Sequence, residues 1–172
     1  MGLWGDSMPQ CICIEQIEGY IRNTPGTVFV LSEDGESIVV PVATKYFHTR
    51  DGEPVCPVTV TVSHTPCAVV LTAQNVAHPQ QYRVGTRFPR SVGNRSSGLR
   101  PIPYAVRAVL TGNRTGVNLE MVVPAVGQSV TGMEFAEAMC TFRDIADSWA
   151  LRWRHQQGPL SDDSMEGSTD DA

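Results

Sequence analysis

Residues 54–82 carry no Asp, Glu, Lys or Arg. Inside this stretch, Val58-Thr-Val-Thr-Val62 alternates apolar and polar side chains, the pattern of a strand with one buried face. A second apolar run, Ala68-Val-Val-Leu-Thr72, follows after a turn at His64-Thr-Pro66. Because an uncharged segment with two apolar runs suits the interior of a fold, we predict a core β-hairpin here.

Four more segments have the composition of strands and form two further hairpins across turns that contain glycine. They are 27–31 with 37–42, and 104–110 with 117–123. The first turn has Asp34-Gly35 at its tip, a dipeptide typical of tight hairpins. Residues 11–19 form either a strand or a short helix, because their isoleucines fit neither period.

Residues 132–155 have the pattern of one long amphipathic helix. Thr131 and Glu134 fit a capping box, in which each side chain accepts a hydrogen bond from the other residue's main chain. Apolar residues then recur at steps of three and four, which matches the helical period. They are Phe135, Met139, Phe142, Ile145, Trp149 and Trp153. We expect the two tryptophans to be buried in the core rather than to form an exposed dimer anchor.

These elements predict one α+β domain over residues 1–157, with an antiparallel sheet of about five to seven strands and one long C-terminal helix packed on it. Residues 158–172 hold five acids and two large apolar side chains. Such a segment cannot bury enough surface to offset the entropy lost on ordering, so we expect a disordered acidic tail.

The charges of the chain are strongly segregated. Residues 1–53 hold eight acids and three bases, and residues 120–172 hold ten acids and three bases. Residues 54–119 hold seven arginines and no acid, so a net charge of −5 divides into −5, +7 and −7. A cationic block in an acidic chain indicates an anionic partner.

The cationic residues are confined to 83–114, where aromatic side chains are interleaved with the arginines. Arginine binds phosphate in a bidentate fork, and aromatic faces beside a basic groove stack on unpaired bases. We therefore predict a non-enzymatic protein that binds nucleic acid, either RNA or single-stranded DNA, and works as a homo-oligomer. The residues expected to bind are Arg83, Arg87, Arg90, Arg95, Arg100, Arg107, Arg114, Tyr82, Phe88 and Tyr104.

Two other interpretations of the arginines stay open. The segment could dock on the acidic surface of a partner, which would make the chain a structural or assembly protein, compatible with a viral or phage origin. Alternatively, the arginines could pair with acids of the same chain and form ordinary surface.

Catalytic, metal and cofactor sites are not expected. Cys11 and Cys13 could gather zinc ligands with Cys56, Cys67, His48, His64 or His78, but no second closely spaced ligand pair follows. The run Ala68–Ala73 resembles the strand that precedes the catalytic histidine of trypsin-like proteases. Gln74-Asn75 stands where the resemblance requires Ala-His, and no Gly-Asp-Ser-Gly follows, so we disfavour a small hydrolase.

No apolar run approaches the ~20 residues that span a bilayer, and the N-terminus has no basic, apolar pattern of a secretory signal. We therefore expect a cytoplasmic protein without a membrane partner. The five cysteines, an odd number, are expected to be reduced thiols in that compartment.

Overall fold

The computed structural model describes residues 10–49, 51–77, 105–110, 116–125, 127 and 129–157. In these ranges the strands form one antiparallel sheet in the order β1-β2-β3-β4-β6-β5. The elements are α1 (Ile14–Arg22), β1 (Val30–Leu31), β2 (Ser37–Ala43), β3 (Val55–His64), β4 (Cys67–Ala77), β5 (Ala105–Leu110), β6 (Val117–Pro124) and α2 (Gly132–Gln157). The predicted α+β class, with a long C-terminal helix on an antiparallel sheet, is confirmed.

All three predicted hairpins are present. β3 pairs with β4 across the turn at residues 65–66, β1 pairs with β2, and β5 pairs with β6. The segment for which the sequence allowed either a strand or a short helix forms helix α1. In this helix Ile17 and Ile21 lie one turn apart and are buried. Its first turn is capped, because the Cys13 main-chain N–H donates to the Gln16 side chain at 3.0 Å.

Two opposed prolines limit the pairing of the sheet. Pro41 of β2 faces Pro57 of β3. Because neither residue has an N–H, the two cannot exchange main-chain hydrogen bonds. Hydrogen-bonded and non-hydrogen-bonded pairs alternate along an antiparallel ladder, so the nitrogen of Pro41 points towards β1 and the nitrogen of Pro57 points towards β4. The β1–β2 ladder ends at Val39 and the β3–β4 ladder ends at Val58, so neither ladder includes a proline.

The core lies between one face of the sheet and the two helices. Alternate residues of β2, β3, β4 and β6 are buried, and they meet Phe135, Phe142 and Trp149 of α2. Trp149 is thus part of the core, as predicted, while the side chain of Trp153 lies outside the described residues. Burial of each large apolar side chain contributes about 1.5–3 kcal/mol, so this layer fixes the helices on that face.

The start of α2 is fixed by the predicted capping box. The Glu134 main-chain N–H donates to the Thr131 hydroxyl at 3.2 Å, and the Thr131 N–H donates to the Glu134 carboxylate at 2.7 Å. Next to it, the Tyr20 hydroxyl donates to the Val130 carbonyl at 2.9 Å. The two helices are therefore tied together at the point where α2 begins.

The expectation of five reduced thiols is wrong. Cys11 and Cys67 form a disulfide whose Cα atoms are 5.7 Å apart, across a sequence separation of 56. The chain folds Cys11, just before α1, against the first residue of β4, a contact that the spacing of the cysteines does not reveal. Cys13, Cys56 and Cys140 are free thiols. In the described ranges, no helix has the length and apolar character needed to cross a membrane.

Candidate nucleic-acid interface

Of the residues predicted to bind nucleic acid, the structure describes Arg107. The others lie outside the described residues: Arg83, Arg87, Arg90, Arg95, Arg100, Arg114, Tyr82, Phe88 and Tyr104. The position of Arg107 is therefore the point at which the predicted segment can be related to the fold.

Strand β5 directs Arg107 away from the core. Its neighbours Val106 and Ala108 pack against the core, and side chains alternate across a strand, so Arg107 projects from the opposite face of the sheet. Its side chain is 69% exposed. This places one arginine of the segment on the sheet face that the helices do not occupy.

Arg107 is already paired within the chain. It lies directly opposite Glu120 on β6, and its Nε and Nη2 both approach the Glu120 Oε2 at 2.6 Å. At this residue the structure matches the alternative in which the arginines pair with acids of the same chain. An ion pair with so exposed a guanidinium contributes only about 0–1 kcal/mol, so an incoming phosphate could displace it at little cost.

Arg107 and Glu120 are also the only charged side chains in the described strands, since no other Lys, Arg, Asp or Glu lies in them. The described acids otherwise lie in helices and loops, for example Glu18, Glu53 and Asp144. The uncharged stretch seen in the sequence therefore corresponds to the central strands β3 and β4, as predicted for a core hairpin.

The sheet topology places Ala77 and Ala105, the two described residues that flank residues 78–104. Ala77, at the end of β4, pairs with Val117 at one end of β6. Ala105, at the start of β5, pairs with Val122 near the other end of β6. Ala77 and Ala105 therefore lie at opposite ends of the sheet, about 17 Å apart along the strand direction at the usual rise of a strand.

Asp147 is a half-buried side chain that the sequence analysis did not single out. Its carboxylate accepts three main-chain hydrogen bonds from residues 45–47, in the loop after β2. Burial opposes its ionisation, but these N–H donors and the nearby Arg143 outweigh that effect and lower its pKa. Asp147 therefore links α2 to the loop after β2.

The described residues bring together no group of three or more His, Cys, Asp or Glu that could hold a metal ion. Two of the possible ligands, Cys11 and Cys67, are joined to each other, and His78 lies outside the described residues. After the protease-like run, β4 continues through Gln74 to Ala77 as a strand. The lack of a cofactor and of catalysis stays a prediction.

Comparison with family models, with curated proteins and with solved structures finds no match for this chain. A functional proposal therefore depends on the residues and the geometry of the chain itself.

Proposed function

We propose that this chain is a non-enzymatic protein that binds RNA or single-stranded DNA through the arginine-rich segment 83–114. The observation that carries the proposal is the run of seven arginines in a stretch, residues 54–119, that has no acid. Phosphate contacts supply most of the affinity of nucleic-acid binders, and arginine is well suited to them. The exposed Arg107 supports the proposal, because its weak pairing with Glu120 leaves it available to a phosphate.

The test is fluorescence anisotropy with a labelled single-stranded RNA and a DNA of the same sequence, measured across a salt series. Each phosphate contact should add about 0.7 to the slope of log affinity against log salt. The triple variant R87A/R90A/R95A should lose about 2 units of that slope while its circular dichroism stays unchanged. Its matched control is R22A/R152A/R154A, which removes three arginines outside the segment.

The proposal fails if the wild-type chain does not bind at low salt, or if binding ignores salt. It also fails if the two triple variants lose affinity equally, because the effect would then reflect net charge alone. Unfolding of R87A/R90A/R95A would show that those arginines are structural.

A second candidate, a structural or assembly protein, is favoured by apolar residues exposed at an edge of the sheet. Val28, Val30 and Leu31 are 68%, 65% and 42% exposed. Under this candidate the arginines dock on an acidic protein, so polyglutamate should bind to the arginine segment more tightly than RNA of equal charge does.

A cytoplasmic location stays a prediction. The Cys11–Cys67 disulfide weakens this prediction, because such bonds are rare in reducing compartments.

A further inference from the structure

Three of the five cysteines belong to one small region, at the point where the chain enters α1. Cys11 is bonded to Cys67, the first residue of β4. Cys13, the N-cap residue of α1, is a free thiol two residues after Cys11. All three are half-buried. A disulfide with a free thiol beside it can exchange partners, because a thiolate attacks a disulfide sulfur directly.

The local backbone places Cys11 and Cys13 on the same side of the chain. Ile12, which lies between them, is only 2% exposed, and the backbone at Cys13 is extended, with φ −114° and ψ 164°. Alternate side chains of an extended segment project to the same side, and two residues span about 6.6 Å. Disulfides join Cα atoms about 4.4–6.8 Å apart, so the Cys13 thiol can reach the Cys11 sulfur with little movement of the backbone.

The start of α1 does not depend on the Cys13 sulfur. The Cys13 Sγ lies 3.6 Å from the Gln16 Oε1, and a thiol is a weak hydrogen-bond donor. The stronger contact is made by the main chain, because the Cys13 N–H donates to the same Gln16 oxygen at 3.0 Å. The thiol can therefore turn towards Cys11 while the main chain of Cys13 still caps the helix.

His64 stands beside the sulfur that leaves when Cys13 attacks Cys11. His64 is directly opposite Cys67 in the register of the β3–β4 hairpin. Directly opposed residues of antiparallel strands project to the same side, with Cβ atoms about 4.5–5.5 Å apart. An imidazole N–H can donate a hydrogen bond to a thiolate, and a stabilised thiolate is a better leaving group.

We propose that Cys11, Cys13 and Cys67 form a thiol–disulfide exchange site. The Cys13 thiolate attacks the Cys11 Sγ, the bond between Cys11 and Cys67 breaks, and Cys67 leaves as a thiolate that takes up the proton lost by Cys13. One disulfide and one thiol are present before and after, so no oxidant or reductant is consumed. Exchange detaches Cys11 from β4, which makes the link between the N-terminal segment and the sheet switchable. This inference goes beyond nucleic-acid binding and is tested without nucleic acid.

The test is disulfide mapping by mass spectrometry after the folded chain is incubated at about pH 8, where thiols exchange, and is then quenched with acid and labelled with a maleimide. Trypsin separates residues 1–22, which hold Cys11 and Cys13, from residues 51–83, which hold Cys67. The wild-type chain should show maleimide on Cys67 together with an internal disulfide in residues 1–22. This product should be at least about tenfold more abundant than in C13S.

Serine is a preferred N-cap residue, so C13S should keep the start of α1, and circular dichroism checks that the variant is folded. C140S removes a different free thiol and is the matched control, which should exchange like the wild-type chain. H64A should slow the labelling of Cys67 roughly threefold, and H64Q, which keeps a side-chain N–H donor, should restore it.

A wild-type chain in which Cys67 stays unlabelled overturns the proposal. Equal labelling of Cys67 in the wild-type chain and C13S also overturns it, because another thiol would then be the attacker, and so does an equal loss of labelling in C140S. Maleimide on Cys11 with Cys67 still bonded would mean that Cys13 attacks Cys67 and would overturn the assigned exchange. A rate in H64A equal to that of the wild-type chain overturns the part assigned to His64.

Discussion

The carboxylate of Asp147 accepts a hydrogen bond from the main-chain N–H of Phe47, with 3.0 Å between Oδ1 and N. The same oxygen accepts from Tyr46 at 3.1 Å, and Oδ2 accepts from Lys45 at 2.9 Å. One side chain of α2 thus fixes three successive N–H groups of the loop that leads Phe47 into the core. Hydrogen bonds to an ionised acceptor are stronger than neutral ones, so this contact is a specific link between helix and loop.

Removal of the Asp147 side chain should destabilise the fold. Asp147→Ala leaves three main-chain donors without their acceptor and should lower the free energy of unfolding by about 2–4 kcal/mol in a urea titration. Asp147→Asn should cost less, because its amide oxygen can still accept from Tyr46 and Phe47. Asp144→Ala, at an exposed position on the same helix, is the control and should change stability by at most ~0.5 kcal/mol. Equal losses in Asp147→Ala and this control would contradict the assigned role.

The same contact predicts a dependence of stability on pH. Although burial opposes ionisation, the N–H donors of Lys45, Phe47 and Tyr46 and the charge of Arg143 lower the folded-state pKa of Asp147 below the usual 3.8. A lowered pKa means that this stabilisation is complete above the unfolded-state pKa and is lost as pH falls through the folded-state pKa. The stability difference between the wild-type chain and Asp147→Asn should therefore shrink between about pH 5 and about pH 2. A difference that stays constant over this range would rule out the ionised carboxylate as its source.

Reduction of the Cys11–Cys67 disulfide should destabilise the chain. The bond closes a loop across a separation of 56 residues, for which the loss of unfolded-state entropy corresponds to about 4 kcal/mol. Urea unfolding with and without a phosphine reductant measures the difference. The double variant C11S/C67S should unfold like the reduced wild-type chain and ignore the reductant, whereas C140S should keep the full response. A wild-type chain that unfolds at the same urea concentration in both conditions would show that the bond adds no stability.

The free thiols should differ widely in reactivity. Burial, and secondarily the charge of Asp147, raises the pKa of Cys56 to about 12, while Cys140 is exposed on α2. At pH 8 only on the order of one Cys56 thiol in 10⁴ is ionised, and the ionised form is the nucleophile. Mass spectrometry after a short iodoacetamide pulse should find Cys140 alkylated and Cys56 unmodified until urea unfolds the chain. Alkylation of both at similar rates in the folded chain would contradict the buried position of Cys56.

Local patterns were sufficient to predict most of the fold. Thr131 and Glu134 located the start of α2, and Asp34-Gly35 located a hairpin, because caps and tight turns depend on neighbouring residues. The Cys11–Cys67 bond and the contact of Asp147 with Phe47 were not predictable, since each joins residues that are distant in sequence and meet only in the packed fold. The face of the sheet that the helices cover was not predicted either, because alternation shows that a strand has two faces but not which one a helix covers.

The ion pair between Arg107 and Glu120 predicts how nucleic-acid binding responds to a single charge. Glu120→Gln frees the guanidinium and removes a negative charge beside it, so affinity for single-stranded RNA at low salt should rise roughly twofold to fivefold. Glu18→Gln breaks the comparable pair with Arg22 on α1, outside the arginine-rich segment, and serves as the matched control. Arg107→Ala should weaken binding more in the Glu120→Gln background than in the wild-type chain. Equal gains in Glu120→Gln and Glu18→Gln would mean that only net charge matters and that Arg107 does not contact the nucleic acid.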